Sequence, residues 1–166
     1  IARRASAART WFHDLELIDG YWSEGGARSY HHTAPVNSIF ALAEALRLLN
    51  QEGLEQAWER HRENSKSLVS GLQELGLEMW VQNPSDRLPQ LNMVRLPNGF
   101  DEATVRLHLL NDHDLEIGAG LGPLVGQVWR IGLMGYSSRP ENVALCLSTL
   151  KRTLALLSHQ SVSGES

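Results

Sequence analysis

The chain has 166 residues, 42% of them hydrophobic and 20% charged, which is enough for one modest domain and too little for two ordinary ones. Its formal net charge of −4 gives no overall basic surface for nucleic acid. No apolar run reaches the roughly 18 residues that a membrane-spanning helix needs. The only cysteine, Cys146, excludes an internal disulfide framework and is expected to be buried and inert. We therefore expect neither nucleic acid nor a membrane as a partner.

The terminal regions carry weaker signals than the middle of the chain. Residue 1 is Ile rather than Met, and residues 1–9 have neither the apolar segment nor the cleavage pattern of a signal peptide. The simplest interpretation is a piece of a longer protein, whose catalytic groups need not all lie in this chain. The apolar run 11–18 predicts a short helix, and residues 23–26 predict a loop. Low complexity is confined to residues 158–166, which we expect to form a flexible tail.

Two long helices are predicted in the first half of the chain. From Pro35 onwards, apolar residues recur at spacings of three and four, which places them on one face of a helix. Gly53 interrupts this series, and a second series of the same kind covers residues 54–75. Gly76 then stands where a left-handed residue commonly ends a helix.

The second half alternates predicted strands and helices. Strand-like runs lie at residues 91–96, 115–117 and 128–134. Asp101 is expected to cap a helix that runs to about residue 111, and Ser138 with Glu141 gives a capping-box pattern before a last helix. Because long helices surround a few strands, the order predicts an α+β fold, a small sheet with helices on one face.

Arg130 is the first candidate for ligand binding. In a strand it shares one face with Val128, Gly132 and Met134. A lone arginine among apolar strand residues is costly to bury without a partner, and Gly132 leaves open space beside it. A planar guanidinium in such a place suits a carboxylate held by two parallel hydrogen bonds. The alternative is an edge-strand arginine whose guanidinium reaches water.

The segment before the first long helix is the second candidate. The hydroxyls of Tyr30 and Thr33 lie close to a predicted helix N-terminus, where they could hydrogen-bond a phosphate. The simpler alternative is that Thr33 caps the helix that opens at Pro35, and spacing alone favours capping. The adjacent His31 and His32 should point to opposite sides of an extended chain, which makes them a poor metal pair.

Other motif classes are not supported. Without an H-E-x-x-H motif or a Cys/His cluster, we expect no metal site. The glycine-rich segment 118–126 has Pro123 where a dinucleotide fingerprint needs its third glycine, so we expect an active-site or hinge loop there instead. His61 lies on the apolar face of its helix and is expected to be a satisfied core or interface histidine.

Several segments recur, in the same order, in one known family. Together they closely resemble the C-terminal part of the alanine–glyoxylate (serine–pyruvate) aminotransferases, which are fold-type I enzymes dependent on pyridoxal 5′-phosphate. The resemblance runs from about residue 11 to about residue 157. The segments are YHHTAP at 30–35, QEGLE at 51–55, HR at 61–62, LP at 88–89, EI and GLGP within 116–123, VWRIGLMG at 128–135 and ENV at 141–143.

This resemblance implies both a fold and an activity. Residues 1–34 would be the tail of the large cofactor-binding domain and an interface segment. Residues 35–157 would form the long helices and the small C-terminal domain, with a mainly antiparallel sheet. The family transfers an amino group from alanine or serine to glyoxylate or pyruvate, and pyridoxal 5′-phosphate serves as the electron sink.

The resemblance also assigns roles to single residues. The family's lysine that binds the cofactor covalently lies upstream of the matched segment, and neither Lys66 nor Lys151 stands in that lysine motif. We therefore expect no catalytic residue in this chain and no activity of the fragment alone. Arg130 matches the arginine that binds the substrate carboxylate. Tyr30 and Thr33 match residues that reach the cofactor phosphate of the neighbouring subunit in a homodimer.

Two questions stay open at the level of sequence. The alternative function is a non-catalytic α+β ligand-binding or interaction module, derived from a truncated aminotransferase and retaining the arginine. The compartment is undecided, because the chain ends in Gly164-Glu165-Ser166 rather than in the Ser-Lys-Leu type of tripeptide of animal peroxisomal relatives. An animal protein would be peroxisomal or mitochondrial, and a bacterial one cytoplasmic.

Overall fold

The computed structural model describes residues 10–22 and 29–163, with side chains up to residue 159. Five α-helices and three β-strands lie in these residues, and they confirm the predicted α+β class. The helices are α1 (Leu15–Trp22), α2 (Val36–Glu52), α3 (Leu54–Glu74), α4 (Glu102–His113) and α5 (Pro140–Ser163). The strands are β1 (Leu91–Arg95), β2 (Gly118–Ala119) and β3 (Val128–Gly132).

The chain forms two compact units, Ile1–Leu48 and Leu49–Ser166. In the first unit, neither α1 nor the part of α2 that belongs to it buries a side chain. The second unit contains the sheet and the hydrophobic core. The predicted division after residue 34 concerns how the complete relatives are organised, and it stays a prediction.

The first helix is displaced from its predicted position. It begins at Leu15 rather than near Trp11, because the Asp14 carboxylate accepts a hydrogen bond from the Glu16 backbone N–H at 3.0 Å and so begins the helix there. It continues through Gly20, which a helix tolerates at a modest cost. The predicted loop at residues 23–26 lies outside the described residues.

Both predicted breaks around the long helices are confirmed. Gly53 separates α2 from α3 with a φ of 92°, and Gly76 follows α3 with a φ of 76°. The Gly76 N–H donates to the Gln73 carbonyl at 2.9 Å and the Leu77 N–H donates to the Leu72 carbonyl at 3.0 Å. These two bonds satisfy carbonyls at the end of α3 that have no partner within the helix.

The sheet is antiparallel, and β3 lies between β1 and β2. The predicted strand at 115–117 is wrong, since the short strand forms one step later at Gly118–Ala119. The Leu115 N–H instead closes the end of α4 by donating to the Leu109 carbonyl at 3.0 Å, and the Ile117 side chain enters the core. The first two residues of the glycine-rich segment 118–126 therefore form an edge strand.

Helices α3, α4 and α5 cover one face of the sheet, as predicted. Trp129 and Ile131 of β3 and Val94 of β1 are buried there together with apolar side chains from these helices. The helical members of this core are Leu68 and Leu72 of α3, Val105 and Leu109 of α4, and Val143, Cys146 and Leu150 of α5. Because strand residues alternate, the opposite face carries Met93, Arg130 and Gly132.

Of the two predicted helix caps, one is confirmed and one is wrong. The Asp101 carboxylate accepts from the Thr104 backbone N–H at 2.8 Å, and this bond lowers the pKa of Asp101. Ser138 does not cap α5, because its buried hydroxyl accepts a hydrogen bond from the Asn64 side chain at 3.2 Å. Helix α5 continues to Ser163, so residues 158–163 of the predicted tail are helical.

Within residues 10–22 and 29–163, no helix combines the length and the apolar character that crossing a bilayer requires.

The buried cysteine gives a test of this core. Burial raises the pKa of Cys146 from 9.0 to about 11, which leaves about a hundredfold less thiolate at neutral pH. We therefore expect alkylation by iodoacetamide to be at least that much slower in the native chain than in the chain unfolded by denaturant. Mass spectrometry of the labelled peptide measures both rates. Equal rates would mean that the Cys146 face of α5 is not packed into the core.

Candidate functional site

Arg130 lies in the central strand of the sheet. Its neighbours in register are Met93 on β1 and Gly118 on β2. The side chain is half-buried, and its Nε donates a hydrogen bond of 2.6 Å to the Ala119 carbonyl. The alternative of an edge-strand arginine is therefore wrong, because a paired strand lies on each side.

Gly118 lets the guanidinium of Arg130 lie across the short strand. A Cβ on Gly118 would stand 3.3 Å from Arg130 Nη2, which is tighter than most Cβ contacts, and 3.5 Å from its Nε, which is ordinary van der Waals contact. The sequence points to Gly132 instead, where a Cβ would meet only Met134 Cε at 3.6 Å. Sequence reasoning misses Gly118 because its nearness to Arg130 depends on strand pairing, which the local pattern does not contain.

The bond to Ala119 determines how Arg130 can bind a ligand. Nε is already occupied, whereas Nη1 and Nη2 have no hydrogen-bond partner among the described residues. No described carboxylate forms an ion pair with this guanidinium either. The two terminal nitrogens can therefore bind a carboxylate end-on through two parallel N–H groups. The backbone carbonyl meanwhile fixes the plane of the guanidinium.

Tyr30 and Thr33 are brought together as a pair of hydroxyls. Their oxygens are 2.6 Å apart, and the Tyr30 ring packs edge-on against the Tyr21 ring with 5.7 Å between centroids. Both side chains are exposed, and Tyr30 keeps 66% of its surface open. The Thr33 hydroxyl bonds to Tyr30 and not to a backbone N–H of α2, so the capping alternative is wrong. Two adjacent exposed hydroxyls can donate to the same anionic group.

The two histidines between these hydroxyls do not diverge, which corrects the expectation for them. Their Nδ1 atoms are 2.6 Å apart, since the rings of His31 and His32 pack against Trp11 and Phe12 at centroid distances of 4.2 and 4.5 Å. His31 is buried, and its Nε2 donates to the Trp11 carbonyl at 3.0 Å. Across the described parts of the chain, no three His, Cys, Asp or Glu residues cluster closely enough to hold a metal ion.

The remaining predicted residues lie elsewhere. The hydroxyl pair belongs to the first unit and Arg130 to the second. Lys66 on α3 and Lys151 on α5 are both exposed. His61 is half-buried and satisfied as expected: its Nδ1 donates to the Ala57 carbonyl at 2.6 Å, and its Nε2 accepts from the Gly135 N–H at 3.1 Å.

A family model described as aminotransferase class-V matches residues 11–143. The chain belongs to the class-V aminotransferases. Within that class it falls in the alanine–glyoxylate aminotransferase family, which confirms the resemblance found in the sequence.

Curated relatives and solved structures agree with this class-V assignment. An alanine–glyoxylate aminotransferase from Callithrix jacchus is 39% identical over 93% of this chain and 37% of that protein. An (S)-ureidoglycine–glyoxylate transaminase from Bacillus subtilis is 41% identical over 86% of this chain and 34% of that protein. The structure of an alanine–glyoxylate aminotransferase from Nostoc sp. superposes with a TM-score of 0.84 at 45% identity, over 92% of this chain and 40% of that one. The chain thus spans less than half the length of the relatives that it matches.

Proposed function

We propose that this chain is the C-terminal part of a pyridoxal-phosphate-dependent aminotransferase that uses alanine or serine as amino donor and glyoxylate or pyruvate as acceptor. The observation that carries the proposal is the geometry of Arg130. Its Nε is fixed by the Ala119 carbonyl, while both terminal nitrogens are open on the face of the sheet away from the helices. Donor and acceptor both carry a carboxylate on the reacting carbon, so one guanidinium can orient either of them.

Glyoxylate is named in relatives that differ in their amino donor. The marmoset, Bacillus subtilis and Paracoccus denitrificans proteins are named for three different donors, alanine, (S)-ureidoglycine and L-aspartate, but all three names include glyoxylate. A shared carboxylate site with variable donor selection explains this pattern. Arg130 would recognise the common group, and other residues would read the donor side chain.

The hydroxyl pair fits the phosphate of the cofactor. Tyr30 and Thr33 present two exposed hydroxyls 2.6 Å apart, and both can turn from each other towards an anion that binds beside them. When it is bound, pyridoxal phosphate supplies the electron sink for cleavage at the α carbon of the amino acid. The contribution of this chain is to hold the phosphate with these hydroxyls and the substrate carboxylate with Arg130.

A homodimer completes this assignment. We place Tyr30 and Thr33 at the cofactor of the neighbouring subunit, so each active site would need two copies of the chain. Apolar side chains in the first unit support an interface, because many of them are open to solvent. They include Trp11 at 59% exposure, Val36 at 49%, Ile39 at 47% and Phe40 at 71%.

Removing the guanidinium tests the substrate site. In a complete enzyme that carries this chain, Arg130→Ala should lower kcat/KM for the amino acid and for the 2-oxo acid. The loss of transition-state stabilisation should be about 2–4 kcal/mol, the scale for losing a charge-assisted pair. The kcat/KM of Arg130→Lys should lie between those of the unchanged enzyme and Arg130→Ala, because lysine keeps the positive charge but lacks the paired N–H groups of a guanidinium. The matched control is Arg152→Ala on the exposed surface of α5. If kcat/KM is unchanged in Arg130→Ala, this arginine is not at the substrate site.

Removing a hydroxyl tests the phosphate site. Tyr30→Phe should weaken cofactor retention in the same enzyme by roughly 10- to 150-fold, since a hydrogen bond to a charged acceptor contributes about 1.5–3 kcal/mol. Selection among amino donors should stay the same. Equilibrium dialysis gives the cofactor affinity. Tyr136→Phe is the control, because it removes a phenol hydroxyl from another residue that is 78% exposed. A shift in donor preference with unchanged cofactor affinity would contradict the phosphate role.

The fragment should not bind the cofactor covalently. We expect the 166-residue chain, treated with pyridoxal phosphate and borohydride, to show only low and nonselective labelling of Lys66 and Lys151. Both side chains are exposed, so we expect each amine to be labelled as an ordinary surface lysine is. Peptide mapping measures the labelling, with the denatured chain as the reference. Stoichiometric and selective labelling of one lysine would overturn the proposed inactivity and favour an independent cofactor-binding module.

A further inference from the structure

Helix α3 holds the turn that follows β3 through three polar side chains, Arg60, His61 and Asn64, which we call the turn anchor. The turn, Gly135–Ser137, begins three residues after β3 ends. Gly135 has both of its backbone groups bound by the anchor. Its N–H donates to His61 Nε2 at 3.1 Å, and its carbonyl accepts from Arg60 Nη1 at 2.9 Å.

The anchor extends to the residue after the turn. Arg60 Nη1 also donates to the Ser138 carbonyl at 2.7 Å, and the Asn64 amide donates to the Ser138 hydroxyl at 3.2 Å. Ser138 has no exposed surface, so these bonds are shielded from water on that side. Gly135 has a φ of 53°, a left-handed conformation that glycine adopts without a Cβ penalty. The turn is therefore held in one geometry by groups on a single helix.

The contacts of His61 determine its protonation state in this geometry. Nδ1 faces the Ala57 carbonyl at 2.6 Å, and a carbonyl only accepts hydrogen bonds. Nε2 faces the Gly135 N–H, and a backbone N–H only donates. Nδ1 must then carry the hydrogen, and Nε2 must offer its lone pair. A second proton on the ring would be bound at Nε2. The Nε2–H group would then face the Gly135 N–H, and the hydrogen bond between them would be lost.

We propose that His61 is a positioning residue that, as the neutral imidazole and together with Arg60, fixes the turn after the strand that bears Arg130. We further propose that protonation of His61 releases this turn. The structure offers a compact switch, because one proton removes the bond to the Gly135 N–H while the Arg60 bonds keep the segment close by.

The charged groups around the imidazole come from three elements. Glu52, at the end of α2, binds the Arg60 guanidinium through Nε and through Nη2 at 2.9 Å, and these bonds hold the pKa of Glu52 below its ordinary value. Arg60 itself precedes His61 on α3. On the turn side, the Arg139 guanidinium lies over the Tyr136 ring at 3.5 Å. Glu52 is ion-paired to Arg60, and the charge of a protonated His61 would also act on this carboxylate.

The turn matters for the proposed transamination because it directly follows Met134, whose side chain lies near the face of β3 that bears Arg130. The Met134 methyl carbon lies 3.6 Å from the position of a Cβ at Gly132, and Gly132 is two residues from Arg130 on that same face. Met134 is 56% exposed, so it can contact a bound small molecule. Release of the turn would move this apolar side chain away. This step rests on the proposed function, whereas the hydrogen-bond switch does not.

Hydrogen exchange of single amides in the 166-residue chain tests the switch without cofactor or substrate. We expect the Gly135 amide to be protected at about pH 8 and to lose about tenfold of its protection at about pH 5, after correction for intrinsic exchange. In His61→Gln, whose amide oxygen can accept in place of Nε2, protection should no longer depend on pH. In His61→Ala it should be low at both pH values.

Two controls separate this switch from general acid unfolding. The Leu133 N–H donates to the Gln90 carbonyl at 2.8 Å beside the turn, and its protection should not change with pH. His108→Gln removes a histidine paired only with Asp112 on the surface of α4, and it should leave the response of Gly135 unchanged. A pH response that persists in His61→Gln, or an unprotected Gly135 in the unchanged chain, overturns the proposal.

The same variants separate the positioning role from the proposed function. In a complete enzyme, kcat/KM for the amino donor should fall between about pH 8 and about pH 5, and His61→Gln should make this fall smaller. If exchange follows the prediction but the complete protein has no transaminase activity, the switch stands and the proposed function fails. If activity is present and its pH profile is the same in His61→Gln, the anchor does not position anything that the reaction uses.

Discussion

The hydrogen bond from Arg130 Nε to the Ala119 carbonyl is the constraint on which the ligand-binding interpretation depends. It requires β2 to pair with β3 in one register, and Gly118 leaves room for the guanidinium to lie across the neighbouring strand. A guanidinium fixed through Nε loses less freedom when its terminal nitrogens bind a carboxylate. The two-residue strand β2 thus orients the Arg130 side chain, although it is only a short edge of the sheet.

Local chemistry can be read from the sequence, and pairing across the chain cannot. The predicted roles of Gly53, Gly76 and Asp101 are confirmed. Each role depends only on the conformation and hydrogen bonds of residues next to it in the sequence. The predicted capping role of Ser138 is wrong, because its hydroxyl is buried and accepts a hydrogen bond from Asn64 on another helix. The local spacing alone cannot distinguish this role from a helix cap.

The candidate site shows the same limit. Arg130 stands out in the sequence because an arginine in an apolar strand is unusual, and its chemistry alone indicates a carboxylate. Its actual neighbours, Gly118 and Ala119, lie where the sequence predicts a loop, since two residues are too few for an alternating strand pattern. His31 and His32 are expected to diverge, and instead they meet because aromatic side chains distant in sequence pack against both rings.

The two units differ in a way that bears on how the complete protein is assembled. The second unit has its own buried core and satisfies its polar contacts internally, down to the pairing of Ser138 with Asn64. The first unit holds the hydroxyl pair, yet α1 buries no side chain and large apolar residues such as Phe40 are exposed. Exposed apolar surface of this extent is costly unless another surface covers it. The geometry of Arg130, the proposed carboxylate-binding residue, would therefore be fixed by folding of the second unit alone. Under the same proposal, the hydroxyls of Tyr30 and Thr33 would acquire their final surroundings only when the rest of the enzyme, or a second subunit, packs against the first unit.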